Sequence, residues 1–281
     1  MSVVVRGNFK GLGGEGLEWG TVHGIELQFL GTGTSAGVPM IACDCAVCLS
    51  SDPRDKRTRC SVVIRYGETV VLVDTTPELR LQAVACRVKR IDAVVYTHAH
   101  ADHIMGLDDV RRFNAVRGGP LDVWAETGAY KAIFQCFGYA FREPEPETKL
   151  FRPHLVYREI TGPFEIGGRV WTPIPLVHGA TRVLGFRVGN LAYCTDVNLM
   201  PEESFRLLEG VEVLVLDALQ WRKHATHFTV EEAMEVAKRV GARRTWFTHI
   251  AHGLGHEETN RLLPDGMKLA HDGLVTGVVG D

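Results

Sequence analysis

The sequence predicts a layered α/β protein on three observations: short apolar runs of strand length, helix signals interspersed among them, and turn residues at their boundaries. With 281 residues, 45% hydrophobic and 23% charged, the chain is long enough to bury a substantial core. Residues 1–24, rich in glycine (Gly7, Gly11, Gly13, Gly14, Gly16, Gly20), are set apart as an N-terminal extension with no assigned chemistry, and residues 25–281 are expected to form one domain. Ile25 to Leu30 alternate at strand period and run into Gly31-Thr32-Gly33-Thr34-Ser35. That turn reads as structural rather than phosphate-binding, because neither a Gly-Lys-Ser/Thr nor a third glycine follows at the needed spacing.

Ser61–Arg65 and Thr69–Val73 read as two strands joined at Tyr66-Gly67-Glu68, with Asp74 at the exit of the second. A helix is expected from Pro77 to about Cys86, with the proline in its first turn, followed by a buried strand over Ile91–Tyr96 ending at Thr97. A further helix is placed within Met105–Ala115, and strands at Val170–Pro173, Gly185–Val188, Leu191–Cys194 and Val213–Leu216. Thr229 followed three residues later by Glu232 is a capping-box signal for a helix that stops at Gly241. Thr245–Thr248 is read as the last strand, delivering His249. Glu143-Pro144-Glu145-Pro146-Glu147 is read as a surface loop.

A formal net charge of −3 argues against binding nucleic acid through bulk positive charge, so an anionic substrate has to be recognised locally. The apolar run Val3-Val4-Val5 is cut short by Arg6, Asn8 and Lys10. Neither a signal peptide nor a membrane span is read there, and a cytoplasmic location is expected. The seven cysteines are odd in number, with three crowded into Cys43, Cys45 and Cys48, which fits metal binding better than disulfides.

The strongest local signal is Thr97-His98-Ala99-His100-Ala101-Asp102-His103, just after an apolar strand. Residues two apart on extended backbone point the same way, so His98 and His100 can converge on one ion while Asp102 and His103 turn toward a second. Taken singly, any of these histidines could be a solvated turn residue, but four potential ligands in this spacing read as a metal site. Cys43, Cys45 and Cys48 place three thiols within six residues, able to wrap one zinc if a fourth ligand arrives; His252, three residues beyond His249, is the candidate. Packed free thiols are the alternative.

The His-x-His-x-Asp-His pattern resembles the signature of the metallo-β-lactamase superfamily, and the resemblance extends over most of the chain. It implies a four-layer αβ/βα sandwich. It also implies that His178 completes the first site, Asp196 bridges both ions and His249 completes the second, with Asp74 supporting the site by hydrogen bonding. Taken alone, His178 could be a loop histidine, Asp196 a turn residue and His249 a satisfied core histidine. An aspartate at 196, where one class of lactamases carries cysteine, points away from β-lactams. Gly31-Thr32-Gly33-Thr34, the Cys-x-Cys-x-x-Cys loop and Thr248-His249-x-x-His252 together look like the phosphodiesterase branch that includes the carbon–phosphorus lyase pathway enzyme acting on phosphoribosyl cyclic phosphate. Pyrroloquinoline quinone biosynthesis enzymes share a similar cysteine loop, but the complete histidine motif here favours hydrolysis.

The resemblance thus implies a dinuclear phosphodiesterase with two divalent ions (zinc or manganese, with iron as a further choice) and one structural zinc. Its expected mechanism is attack by a metal-bridging hydroxide on a small, cyclic ribose or linear phosphodiester. Asp102 or Asp196 would orient the hydroxide, and His227, in preference to His224, would act as general acid. Homodimerisation is an expectation from the resemblance alone. The rival activities are RNA 3′-end cleavage, for which no protruding basic arm is read, and thioester hydrolysis, whose C-terminal helical region finds only 32 residues after His249. A non-enzymatic metal-binding module ranks last.

Overall fold

Strands that are apolar on both faces need cover on both sides, and this chain provides it by packing two sheets face to face with helices outside them. The computed structural model describes residues 22–143 and 151–278. The glycine-rich segment up to residue 21, and the Glu143–Glu147 loop beyond Glu143, lie outside the described residues. The first strands in chain order are β1 (Val22–Gly31), β2 (Ser61–Gly67), β3 (Thr69–Val73), β4 (Ala93–Val95), β5 (Leu121–Ala125) and β6 (Leu155–Glu159). They are followed by β7 (Phe164–Ile166), β8 (Arg169–His178), β9 (Thr181–Val188), β10 (Leu191–Cys194), β11 (Val213–Asp217), β12 (Arg244–Thr248), β13 (Met267–Leu269) and β14 (Val275–Val278). One sheet has the order β14-β1-β2-β3-β4-β5-β6 and the other β13-β12-β11-β10-β9-β8-β7.

Side-chain alternation builds the layers. Val71 and Val73 point into the core between the sheets, where they share space with Val213, Val215, Tyr193 and Phe186. Leu72, between the two valines, points outward beneath Leu79, Ala83, Leu107 and Ile133. Leu214 and Leu216 likewise face outward onto Ala233, Ala237 and Leu208. Period-2 alternation on strands buried on both faces thus gives three apolar layers and the αβ/βα sandwich that the resemblance implied.

Several boundaries differ from the sequence reading. Strand β1 starts at Val22 rather than Ile25, because Gly24 takes φ +104° at a register shift and lets Val22 pair with Gly67. The expected Pro77 helix begins at Leu79, with Pro77 in the turn before it. The expected Met105–Ala115 helix is broken into a 3₁₀ turn, Leu107–Val110, and a helix, Arg111–Arg117. Thr245–Thr248 is not the last strand: β13 and β14 follow, too short for their periodicity to be read, and β14 closes the other sheet against β1. The glycine-rich turn is structural, since Thr32 N–H donates to Asp272, Gly33 N–H to Thr58 O and Thr34 N–H to Ile250 O, which occupies these donors. A Cβ at Gly33 would lie 2.8 Å from Arg57 O, so only glycine fits there.

The helix Val230–Val240 carries the capping box read from sequence: Thr229 Oγ1 accepts from Glu232 N–H, and the Glu232 carboxylate accepts from Thr229 N–H. Thr229→Ala is expected to destabilise the protein by about 1 kcal/mol, seen as a Tm lowered by roughly 2–4 °C; an unchanged melting curve would show that the cap contributes nothing.

Candidate metal centre

The C-terminal ends of β3, β4, β8, β10, β11 and β12 lead into Asp74, the His98–His103 motif, His178, Asp196, Asp217 and His249, so one end of the sandwich collects the chemistry. Three of these residues hold left-handed backbone: Asp74 at φ +63°, Asp196 at +55° and His249 at +59°. Left-handed backbone outside glycine costs on the order of 1–3 kcal/mol per residue and persists where the surroundings enforce it.

Ligand-capable atoms of His98, His100 and His178 lie within 4.8 Å of one another, as do those of Asp102, His103 and His249. Asp196 joins the two groups. It lies within the same range of His98 and His103, and its Oδ1 and Oδ2 are each 3.2 Å from the Nε2 atoms of His249 and His103, respectively. The sequence-predicted ligands therefore converge at one end of the sandwich, with Asp196 between the two triads.

Three of the rings, those of His98, His103 and His178, are oriented through their other nitrogen. His103 Nδ1–H donates to Asp74 Oδ2 at 2.7 Å, and His178 Nδ1–H to Thr226 O at 2.7 Å. Thr97 uses its hydroxyl proton on Asp74 Oδ2 (2.8 Å), so its oxygen accepts from His98 Nδ1–H at 2.9 Å. Among the ligand-bearing side chains Asp74 bonds to His103 and serves as its anchor, also accepting from Thr97 N–H. These contacts fix the tautomers that turn Nε2 inward. The Nε2 atoms of His98, His103 and His249 are buried without a hydrogen-bond partner. Buried imidazole nitrogens left without a hydrogen-bond partner beside two carboxylates fit a cation, and the donor set of imidazoles and carboxylates suits zinc, manganese or iron.

The electrostatics agree. Burial keeps His98 and His178 well below and below their ordinary pKa, respectively, leaving both rings neutral. His249 behaves oppositely: burial disfavours its proton, but Asp196, Asp102 and Asp217 outweigh that and raise it to about 9. His103 is also raised, its desolvation overcome by Asp196 and Asp74. Asp102 and Asp196 are held below the usual carboxylate range, since His249 and His103 outweigh burial. In the absence of a cation, protons supply the positive charge that these carboxylates demand.

Two further groups complete the site. His227 is buried, stacks on His249 with ring centroids 4.4 Å apart, and lies in ligand-atom range of His178 and Asp196. Its Nδ1–H donates to Asp217 Oδ2 at 2.6 Å, and the same oxygen accepts from Val197 N–H at 2.9 Å. Asp217 escaped the sequence reading. A signal was present: Val213-Leu214-Val215-Leu216-Asp217 repeats the apolar-run-then-aspartate pattern of Val71-Leu72-Val73-Asp74. His224 lies on the exposed side, 5.3 Å ring to ring from His227, and belongs to none of these groups.

Away from this end, Cys43, Cys45, Cys48 and His252 form a separate cluster, with His252 Nδ1 3.2 Å from Cys43 Sγ and 3.3 Å from Cys45 Sγ. Three sulfurs and an imidazole are a zinc donor set. Backbone and His252 contacts lower the Cys45 thiol to about 6, favouring the thiolate that a metal needs.

The chain belongs to the β-lactamase superfamily of metal-dependent hydrolases: the model of the β-lactamase superfamily domain matches residues 69–250. A solved structure described as a new diphosphatase from the PhnP family is 44% identical, with a TM-score of 0.83 over 89% of this chain and 96% of that one. An octanoyltransferase of Porphyromonas gingivalis is 34% identical over 249 residues, 87% of this chain but 50% of the relative, so the chain spans about half that protein's length. A ribonuclease Z of Agathobacter rectalis is 25% identical over 72% of this chain and 85% of its own. Among the described residues, no helix is long and apolar enough to cross a membrane.

Metal uptake should displace the protons of His103 and His249 but find His98 and His178 already neutral. Zinc titration of chelator-stripped protein is therefore expected to give one binding event that weakens and releases protons as pH falls from about 9 toward 6.5, and another nearly flat over that range. Two events with the same pH dependence would contradict this division.

Proposed function

We propose that this protein is a dinuclear metal-dependent phosphodiesterase acting on a small linear or cyclic phosphodiester. One ion would be held by His98, His100 and His178, the other by Asp102, His103 and His249, with Asp196 shared; Cys43, Cys45, Cys48 and His252 would hold a structural zinc. When bound, a divalent pair lowers the pKa of water toward neutrality and offsets phosphoryl charge. The chain's own contribution is to aim and to move protons. Asp102, the more accessible carboxylate, can accept a hydrogen bond from the attacking water. His227 keeps Nδ1 on Asp217, which leaves its Nε2 as the nitrogen able to protonate a departing alkoxide.

The observation that carries this reading is the His227–Asp217 pair beside a cation-demanding cluster, because only a poor, basic leaving group needs a dedicated proton donor. The diphosphatase and ribonuclease names of two relatives support bond cleavage at phosphorus. A second reading, hydrolysis of an acyl ester or thioester, is favoured by the octanoyltransferase relative, half of whose length has no counterpart here.

On alkyl phosphodiesters, including a cyclic ribose phosphate, His227→Ala is expected to lower kcat/KM by about 10²–10⁴. On a p-nitrophenyl phosphodiester, whose leaving group departs without a proton, the loss should be far smaller. Equal losses on both substrates would rule out the general-acid role. Faster turnover of an octanoyl thioester than of any phosphodiester would favour the second reading.

A further inference from the structure

Beneath the cluster lies a buried polar knot of four residues outside the ligand groups named above. Cys60, just before β2 in one sheet, places Sγ 3.2 Å from Tyr193 Oη and 3.1 Å from Thr248 Oγ1, both from the other sheet. Thr195 Oγ1 is 3.6 Å from the same sulfur. All four residues are buried to within 1% of completely. Thr195 and Thr248 each immediately precede a residue in left-handed backbone, Asp196 and His249.

The protons can be counted. Thr195 Oγ1 is 2.7 Å from Asp196 Oδ2. A carboxylate only accepts, so the single hydroxyl proton of Thr195 goes to Asp196 rather than to the more distant sulfur. Either atom can donate in the Tyr193 and Thr248 contacts, and the arrangement that leaves no hydroxyl proton idle has both donate to the sulfur while the thiol donates to the Thr195 oxygen. In that arrangement every proton is used once and all point toward Asp196 Oδ2. Burial raises the Cys60 thiol to about 11, so it stays protonated near neutrality, and burial holds Tyr193 protonated as well. Such an ordered chain in a low-dielectric interior strengthens its terminal bond.

We propose that Cys60 is a positioning residue, the hub of a relay from Tyr193 and Thr248 through its thiol and Thr195 that aims the Asp196 carboxylate at its cations. This rests on the reading of Asp196 as a shared ligand. Sulfur suits the position because its long bonds reach three hydroxyls from a single atom. Valine there would leave the hydroxyls of Tyr193 and Thr248 buried without an acceptor, and Thr195 without a donor.

The test is zinc affinity at the Asp196 centre, measured by chelator competition in wild type, Cys60→Val, Cys60→Ser, Thr195→Val and the double variant C60V/T195V, with the melting temperature of each metal-free form as a control. C60V and T195V are each expected to weaken zinc binding about 10–100-fold, C60S to restore much of it, and the double variant to be no weaker than T195V, since both break the same chain. A merely structural role would move the melting temperatures and leave affinity alone. C60V binding zinc within about twofold of wild type, or losses that add in the double variant, would overturn the inference. Were C60V not to fold, wild-type affinity in T195V would overturn it equally. Wild-type protein that takes up no metal at Asp196 would instead remove the reading beneath it.

Discussion

The interior of this protein tolerates buried carboxylates only because positive charge stands against them. Asp74, Asp102 and Asp196 lie within a few ångströms of one another's histidine partners, with water largely excluded. Burying an unpaired carboxylate is prohibitive, so the cluster has to bind protons or cations. His103 and His249 carry that demand as raised pKa values, while His98 and His178 stay neutral. The fold pays for this arrangement with three left-handed residues at strand ends, strain that packing alone does not require.

The sandwich serves that constraint. Strand ends from both sheets point the same way, so residues far apart in the chain, such as His98 and His249, meet at one rim. Rigid β-ladders beneath them hold donor atoms in place, which short surface loops could not do. A second layer of contacts, through Asp74, Thr97, Thr226, Thr195 and Asp217, orients His103, His98, His178, Asp196 and His227. The thiol cluster at Cys43–Cys48 reaches the same loop as His249 through His252, tying the segment that follows β1 to the exit of β12.

Much of the site was legible because its ligands are chemically loud. Histidines and an aspartate at spacings of two and one after an apolar strand serve few purposes besides holding metal, whereas His178, Asp196 and His249 are placed by the resemblance to the metallo-β-lactamase superfamily. The capping box and most strand positions were legible for the same reason, a local pattern with a local cause. What stayed hidden has nonlocal causes. Asp217 is an aspartate after an ordinary apolar strand, and only its 2.6 Å contact with His227 gives it meaning. Cys60 gives no local signal in the sequence, because its hydroxyl partners come from the opposite sheet. Strands β13 and β14 are three and four residues long, too short for periodicity to register, and exist because the sheets have edges to complete.

The central claim is that Asp196 sits between two cations. Crystals of metal-stripped, zinc-reconstituted protein, with diffraction recorded on both sides of the zinc absorption edge, test it most directly. The account predicts two resolved anomalous peaks flanking the Asp196 carboxylate, one against His98, His100 and His178 and the other against Asp102, His103 and His249, with a third among Cys43, Cys45, Cys48 and His252. A map with signal at the thiol cluster alone, and none on either side of Asp196, would contradict it.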